Sequence, residues 1–528
     1  MKAQGYTAPY HKKIAEWIRG DKVRAAMVFL AVVIAVTGLL RVQDYGVSYD
    51  EPLEYRTSVY TWEYAKTTLG QLISGETVTD VTGFLSFQDN VYGSAARFPV
   101  FLLMSQIQSS RTIWLGWHIY NYLWFLAAAF CTFLLLRKLL FSEKAALLGM
   151  LMYLMMPRIF AESAYNIKDI LFLSLFTVTS YFGYSLSERM TRQGSAIFAL
   201  LLALCTNTRY IGCIVMAPVM AVLFMKYGKR KGLEYTAVLL AVTALFYYVF
   251  TPYLWTAPVS NLINMIRSFT NNPERYVSMY FAGRQIGADE LPWYYLHVWI
   301  GITMPLWILL SFVCGSTKGV ISLVCGTKLS KKTIWLTVTG GMLGLMLLAD
   351  AVMHTVKYDG WRHFYFLYAW MVPIAVYGFA KAADGLKGKL KTAAAVLLAV
   401  TVLSDLMWSV FRHPYEMVYM NPVGMCVNDR FETDYWLVSM TGAIRSILEE
   451  TEGSVSIWLG WDTGLYLLEE KELERIQVAE SIYDADYVIM FDRVYRWNGI
   501  EPGSLEGFEI WKEQKVGRGM LYQILRKI

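Results

Sequence analysis

The sequence is poor in charged residues and in cysteine, and it lacks the signature motifs of soluble nucleotide-dependent enzymes. Charged residues make up only 17% of the 528 positions, whereas hydrophobic residues make up 56% and aromatic residues 15%. No glycine-rich phosphate loop, dinucleotide fingerprint or serine nucleophile elbow is present. The six cysteines show neither disulfide nor zinc spacing, so we expect free thiols. There is no internal repeat or low-complexity stretch, which excludes a solenoid. The composition favours a chain that lies largely in lipid.

Long apolar segments take the place of a polar surface. Their lengths approach the roughly twenty residues that cross a bilayer. The formal net charge of +6 comes from short basic clusters between these segments rather than from one basic face, so we expect membrane lipids, and no nucleic acid, as partners. The sequence predicts about eleven transmembrane helices, at 23–41, 113–137, 145–160, 168–186, 195–210, 212–226, 233–251, 293–314, 333–353, 363–380 and 391–411.

The basic clusters predict the orientation of the chain. Lysine and arginine are enriched in cytoplasmic loops, and every second loop is basic if the apolar stretch 195–226 is read as two spans that meet at 207–210. We therefore expect a multi-pass cell-membrane protein with a cytoplasmic N-terminus and an extracytoplasmic C-terminus. No small-residue cleavage site follows the first apolar segment, so we expect that helix to be retained. The basic clusters are at 2–19, 137–138, 189–192, 226–231, 328–332 and 381–391.

Two parts of the chain are predicted from where the apolar segments stop. Residues 1–411 form a transmembrane part, whose first outer loop is long and runs from about 42 to 111. Residues 412–528 are polar and are predicted to form a small extracytoplasmic α/β domain. Period-two stretches at 455–459 and 487–491 predict strands, and 434–448 predicts a helix between loops.

Two acidic motifs fall on the predicted outer face. Asp50 and Glu51 follow the first span, where a carboxylate can serve as a base or a metal ligand. A solvated loop or a helix cap would place them there equally well. In the second outer loop Asn166, Lys168 and Asp169 form a compact polar cluster. Capping by Asn166 and the helix dipole would explain Asp169 but not Lys168.

Several cations lie on the same predicted face. Arg209 separates two apolar stretches, and Arg362 and His363 begin another span. Snorkelling towards lipid headgroups would account for each of these residues alone. Taken with Lys168 and the carboxylates, they suit a phosphorylated substrate that is approached by a second, polar one.

In this order the motifs resemble those of the C-type (GT-C) integral membrane glycosyltransferases. They are most similar to a bacterial member of family 39, the group of protein O-mannosyltransferases and the aminoarabinose transferases of lipid A. The resemblance implies a GT-C fold with an all-α polytopic membrane part and the small extracytoplasmic α/β domain. The matching stretches are Tyr49-Asp50-Glu51, Pro157-Arg158, Asn166-Ile167-Lys168-Asp169, Thr208-Arg209-Tyr210, Gly360-Trp361-Arg362-His363, and Tyr419-Met420-Asn421-Pro422 through Trp436.

The resemblance also implies an activity: inverting transfer of a hexosyl or pentosyl group from a polyprenyl-phosphate donor to an acceptor hydroxyl outside the membrane. The acceptor would be a protein, a lipid or a wall glycan. Asp50 would be the general base, with Glu51 and Asp169 completing the catalytic set. No cofactor is assigned, and a divalent cation is left open. Substrate would be bound by Asn166, Lys168, Arg209, Arg362 and His363.

Two departures and two rival functions accompany the resemblance. The second outer loop has Ala161-Glu162-Ser163-Ala164 where an aromatic, histidine-bearing stretch is expected, and no MIR-type repeat follows the membrane part. A transporter or flippase for a lipid-linked or anionic substrate is the main alternative. A catalytically inactive scaffold is the other. The polar clusters collect on one face rather than at the midplane of two inverted halves, which favours the enzyme.

Overall fold

The computed structural model describes residues 20–528 except 141, 271–276, 327–329, 354, 499 and 501–503. The basic N-terminal residues used for the orientation, and Lys328, lie outside the described residues. Helices form most of the membrane part. They are Lys22–Arg41, Glu51–Ser74, Phe98–Met104, Ser110–Leu140, Glu143–Leu154, Pro157–Tyr165, Asp169–Glu188, Arg192–Thr208, Met216–Phe250, Pro258–Thr270, Tyr295–Thr303, Leu306–Val324, Lys331–Met353, Tyr368–Gly385 and Gly388–Arg412.

Eight helices of the described chain are long and apolar enough to cross a membrane, and a ninth crossing results if the bent pair Glu143–Leu154 and Pro157–Tyr165 is one span. Two other predicted crossings are helical in the structure but do not add to this count by length and apolar composition. One is the 17-residue helix Arg192–Thr208. The other comes from Met216–Phe250, where the backbone leaves helical geometry at Gly228. The chain is a multi-pass membrane protein, as predicted.

Helix Met216–Phe250 folds back on itself at Gly228, whose φ of 77° favours glycine. The rings of Tyr227 and Tyr235 lie 5.0 Å apart, whereas eight residues of straight helix span about 12 Å. Two antiparallel arms therefore occupy the positions predicted for spans 212–226 and 233–251. Helices thus cover the eleven predicted spans within the described residues, and length and apolar composition count eight or nine crossings among them.

The membrane part differs from the prediction in two places. The predicted span 293–314 is broken before Pro305 into Tyr295–Thr303 and Leu306–Val324, because proline cannot supply a helical N–H. The segment 42–111, predicted as the first outer loop, contains the long helix Glu51–Ser74. The segment between helices Pro258–Thr270 and Tyr295–Thr303 holds a hairpin of β1 (Ser278–Phe281) and β2 (Arg284–Gly287).

The C-terminal part contains a five-stranded mixed sheet. Its strands are β3 (Val455–Leu459), β4 (Ile476–Val478), β5 (Tyr487–Phe491), β6 (Phe508–Val516) and β7 (Gly519–Lys527). Their order in the sheet is β4-β3-β5-β7-β6. Strand β3 pairs in parallel with β4 and β5, and β7 pairs antiparallel with β5 and β6. The predicted strands at 455–459 and 487–491 are both present. The longer helices of this part are Met440–Glu450 and Asp492–Asn498.

The helix predicted from 434 begins later, at Met440. The carboxylate of Asp434 accepts hydrogen bonds from the backbone N–H groups of Val438 and Ser439, and Leu437 adopts a positive φ of 60°. Residues 434–439 therefore form a capped turn rather than helix, because a short acidic side chain competes for backbone donors.

Candidate functional site

The loop that bears Asp50 is a turn closed by its neighbours. The carboxylate of Glu51 accepts the backbone N–H of Ser48 at 2.8 Å, and the N–H of Glu51 donates to the carbonyl of Ser48. Helix Glu51–Ser74 starts at this turn, with a proline in its first turn. The Asp50 side chain keeps 15% of its surface exposed, whereas Glu51 is fully buried. The two adjacent carboxylates therefore have different surroundings.

Asp50 is bound to a buried arginine from the tenth predicted span. Nη1 of Arg362 lies 2.9 Å from Asp50 and 3.2 Å from Asp169. The other oxygen of Asp169 pairs with Arg209, whose side chain is 20% exposed. These residues come from four separate stretches of sequence, and the structure brings them together at one end of the helices. The four stretches that were predicted to lie on one face therefore meet in the fold.

Lys168 belongs to a second ion cluster beside the first. Its Nζ lies 2.6 Å from Glu54, which also pairs with Arg97 at 2.7 Å. Burial opposes the positive charge of Lys168, but Glu54 and, more weakly, Asp50 outweigh burial and raise the Lys168 pKa. The Lys168 side chain keeps 15% of its surface exposed, so its partners do not enclose it completely. Glu54 and Arg97 were missed by the sequence analysis, since each looked like an ordinary loop charge.

Glu54→Gln should lower the thermal stability of the protein at neutral pH. Arg97 and Lys168 would stay buried without their counter-ion, at a cost of about 3–5 kcal/mol. Burial opposes the charge of Glu54, yet Arg97 and Lys168 hold its pKa below the ordinary value. A carboxylate with a depressed pKa stabilises the fold above its unfolded-state pKa, and this contribution is lost as the pH falls through the folded-state pKa.

Thermal unfolding in detergent at pH 7 and at about pH 3.5 measures this effect. The gap between wild type and Glu54→Gln should shrink at the acidic pH. Glu63→Gln is the matched control, because Glu63 is 45% exposed and pairs with Lys66 on the same helix; we expect no measurable change there. Equal losses in the two variants would contradict a special role for Glu54.

Glu51 lies apart from the cation cluster. Nε2 of His118 is 3.2 Å from its carboxylate, and Nδ1 of His118 faces the carbonyl of Val42. Burial raises the Glu51 pKa above its usual range, although His118 and Ser48 act against that rise. These contacts hold the turn that presents Asp50. A catalytic role for Glu51 stays a prediction, and the structure shows His118 as its partner.

Asn166 and His363 have supporting positions. Asn166 is buried, accepts the backbone N–H of Asp169 at 2.8 Å and donates to Glu162 at 2.8 Å. The His363 ring is half-buried and meets the Tyr358 ring edge-on at 4.7 Å. The face of Tyr358 lies 4.8 Å from the guanidinium carbon of Arg362. Asn166 therefore contacts the ion cluster directly, whereas His363 reaches it through Tyr358.

Glu162, which marked a departure from the family pattern, is the centre of a buried hydrogen-bond network. The hydroxyls of Tyr365 and Tyr435 donate to its carboxylate at 2.7 and 3.2 Å. Tyr435 belongs to the C-terminal part, so this network joins the two parts beneath Asp169. The sequence offered no periodic signal for it.

The C-terminal part also reaches Arg362 itself. Nη2 of Arg362 lies 3.1 Å from Asp359, and Asp359 pairs on its other side with Arg493. Arg493 also binds Glu432 at 3.1 Å. The Trp436 ring lies 4.5 Å from the Arg362 guanidinium carbon. None of these partners of Arg362 was predicted.

The carboxylates of the site do not form a metal-binding set. Asp50, Asp169 and Asp359 are each bound to an arginine. Among the described residues, no three or more His, Cys, Asp or Glu side chains are grouped as metal ligands would be. The donor set therefore does not fit a divalent cation, and we derive no step through a metal. All six cysteines are free, as predicted.

The fold and the site define a polytopic membrane protein with paired carboxylates and cations at one end of its helices. No protein-family model matches the chain, and no curated protein matches its sequence. Among the solved structures that are similar to it are two of ArnT. The crystal structure of ArnT from Cupriavidus metallidurans bound to undecaprenyl phosphate has a TM-score of 0.46 at 12% identity and covers 94% of this chain and 97% of ArnT. The apo structure has a TM-score of 0.47 at 13% identity and covers 95% and 98%. TM-scores and identities this low do not indicate the activity of the chain. The function proposed below depends on the geometry of the site.

Proposed function

We propose that the chain is a GT-C glycosyltransferase that moves a sugar from a polyprenyl-phosphate donor to an acceptor hydroxyl on the outer face of the membrane. The observation that carries this proposal is the pairing of the partly exposed Asp50 carboxylate with buried Arg362, beside two partly exposed cations, Lys168 and Arg209. A base for a hydroxyl and cations for a phosphate are thus side by side.

The exposed and buried members of the cluster divide the work. Arg362 is 2% exposed and already bound to three carboxylates, so it orients Asp50 rather than meeting substrate. Lys168 and Arg209 each have a carboxylate partner and keep 15% and 20% of their side-chain surfaces exposed. They are the groups that can receive the donor phosphate. Charge-assisted hydrogen bonds to phosphate oxygens are strong in such a partly desolvated site.

The proposed reaction is a single displacement. Asp50 accepts the proton of the acceptor hydroxyl as that oxygen bonds to the anomeric carbon. The bond between the anomeric carbon and the phosphate oxygen breaks on the opposite side, which inverts the configuration. Polyprenyl phosphate leaves with an additional negative charge, which Lys168 and Arg209 stabilise. Asp169 holds Arg209 in place for this step.

The proposal covers a hexose or a pentose as the transferred sugar. The acceptor is a protein, a lipid or a wall glycan. The basic clusters of the loops support an outer-face location for the site, with the N-terminus in the cytoplasm. The lipid tail of the donor would lie in the bilayer beside the helices.

Mass spectrometry of the cell envelope tests the proposal. Cells that lack the chain should lose one sugar from one envelope component and accumulate the corresponding polyprenyl-phosphate sugar. A transporter or flippase predicts a different result: the lipid-linked sugar would be retained on the cytoplasmic leaflet, and purified protein would form no glycosyl product. An unchanged envelope would overturn the proposal.

A further inference from the structure

A line of alternating charges runs from Asp50 into the C-terminal part. Arg362 lies 2.9 Å from Asp50 and 3.1 Å from Asp359. Asp359 pairs with Arg493, and Arg493 lies 3.1 Å from Glu432. Every member except Asp50 has a side chain no more than 4% exposed. The line therefore ends at the candidate base and is otherwise shielded from water.

The position of Arg362 depends on a balance between carboxylates. Its Nη1 serves Asp50 and Asp169, while its Nη2 serves Asp359. Asp359 shares its charge between Arg362 and Arg493, so Arg493 limits how strongly Asp359 attracts Arg362. Attractions between buried charges are large because water does not screen them. Any change at Arg493 should thus be felt at Asp50.

The backbone of the C-terminal part fixes the same geometry. The carbonyl of Trp436 accepts the N–H of Tyr49 at 3.2 Å, next to Asp50. The carbonyl of Tyr435 accepts a hydrogen bond from Nη1 of Arg493 at 3.2 Å. The Trp436 ring also covers the guanidinium of Arg362. The segment Tyr435–Trp436 therefore contacts the loop of Asp50 and the guanidinium groups of both Arg362 and Arg493.

We propose that Arg493 is a positioning residue of the site: by holding Asp359, it fixes Arg362 and so sets the electrostatic field at the Asp50 carboxylate. The C-terminal part is then a component of the candidate active site and not a separable module. The catalytic consequence of this inference rests on the proposed function. Its electrostatic content does not.

The other groups that face Arg362 and Asp50 bear on the field as well. These groups are the same in all the variants below. They therefore affect the field at position 50 equally in each variant and do not contribute to the differences between variants. They are Asp169 with its partner Arg209, Lys168, and the phenols of Tyr49 and Tyr358.

The thiol introduced by Asp50→Cys reports the field without any need for sugar transfer. Its alkylation by iodoacetamide, followed over pH in the full-length detergent-solubilised protein and resolved by peptide mass spectrometry, gives the pH of half-maximal reaction, because only the thiolate reacts. Peptide resolution separates this thiol from the native cysteines. Arg362 should hold that pH below the value of an ordinary cysteine.

Two substitutions, Asp359→Asn and Arg493→Lys, are each combined with Asp50→Cys. They should move the pH of half-maximal alkylation in opposite directions. Asp359→Asn frees Arg362 towards position 50 and should lower the pH of half-maximal reaction by about half a unit. Arg493→Lys keeps the charge but loses the fork that holds Asp359 and Glu432 together. It should raise that pH by about half a unit. A field acting only through space predicts no shift for Arg493→Lys.

Arg526→Lys is the matched control, since Arg526 pairs with Glu509 on the exposed sheet, and it should leave the pH unchanged. Arg493→Lys in the otherwise native protein should lower kcat and leave the KM for donor nearly unchanged. No shift, or shifts in the same direction for Asp359→Asn and Arg493→Lys, would overturn the inference. If Arg493→Lys does not fold, Glu432→Gln takes its place: Arg493 would then pair with Asp359 alone and release Arg362 towards position 50, which should lower that pH, and an unchanged pH would overturn the inference. A missing glycosyl product with the expected shifts would overturn only the proposed function.

Discussion

Asp50→Asn should reduce sugar transfer by roughly a thousandfold, within the range that general-base catalysis contributes. The amide keeps the shape of the side chain and a hydrogen-bond acceptor for Arg362, but it cannot take the proton of the acceptor hydroxyl. Arg362 would retain Asp169 and Asp359 as counter-ions, so we expect the variant to insert and fold. The measurement is the transfer rate in membranes, together with the thermal stability of the purified variant.

Asp44→Asn is the matched control for this prediction. Asp44 precedes Asp50 in the same loop, but its side chain is 42% exposed and pairs with His413 rather than with Arg362. Transfer by Asp44→Asn should remain close to the wild-type rate. A similar rate for Asp50→Asn would show that Asp50 is not the base, and a similar loss in both variants would indicate damage to the loop.

Arg362→Lys should have the second-largest effect, a loss of transfer of about a hundredfold. Lysine preserves the positive charge but cannot bridge Asp50, Asp169 and Asp359 from a planar fork. Asp50 would lose its fixed orientation, and a displacement of about 1 Å at a reacting group can cost a factor of this size. The KM for the donor should change little, because Arg362 is buried and Lys168 and Arg209 are the exposed cations.

The steady-state parameters of Arg362→Lys and of Arg445→Lys give the comparison. Arg445 binds Glu472 in the C-terminal part and should tolerate lysine without loss of transfer. An increase in donor KM with an unchanged kcat in Arg362→Lys would contradict the orienting role. It would place Arg362 against the phosphate, as the resemblance to family 39 implied.

Most of the membrane fold could be predicted because lipid imposes a simple rule. Backbone groups in a bilayer must be satisfied within each helix, so apolar length alone locates the spans. Basic residues 226–231 even predicted the reversal that occurs at Gly228. Helix Glu51–Ser74 escaped prediction, because it mixes polar and apolar residues without a strong period. Its buried residues include Glu51, Glu54 and Tyr64. Only tertiary contacts explain why these polar side chains are buried.

The site could be predicted only in part. The order of the motifs brought Asp50, Asp169, Arg209 and Arg362 into one cluster, and the structure agrees. The different surroundings of Asp50 and Glu51 could not be foreseen. At a helix start successive side chains point about 100° apart, so adjacent carboxylates face different neighbours.

The partners of Arg362 in the C-terminal part had no sequence signal. An ion pair such as Asp359 with Arg493 joins residues far apart in the chain and leaves no local period or motif. Both residues looked like ordinary surface charges, yet their side chains are 0% and 3% exposed. Buried charges of this kind are costly unless they are paired, which is why the C-terminal part must dock closely for the site to form.

The most direct measurement follows a labelled sugar from lipid to acceptor. Lipid-linked sugars extracted from the native membranes are supplied with envelope acceptor to the purified wild-type protein or to Asp50→Asn, and label is counted in both fractions. We expect the wild type to move label from lipid to acceptor one for one with release of polyprenyl phosphate, while Asp50→Asn leaves the label on lipid. Equal transfer by both proteins, or loss from lipid with no gain by any acceptor, would contradict catalysis by Asp50.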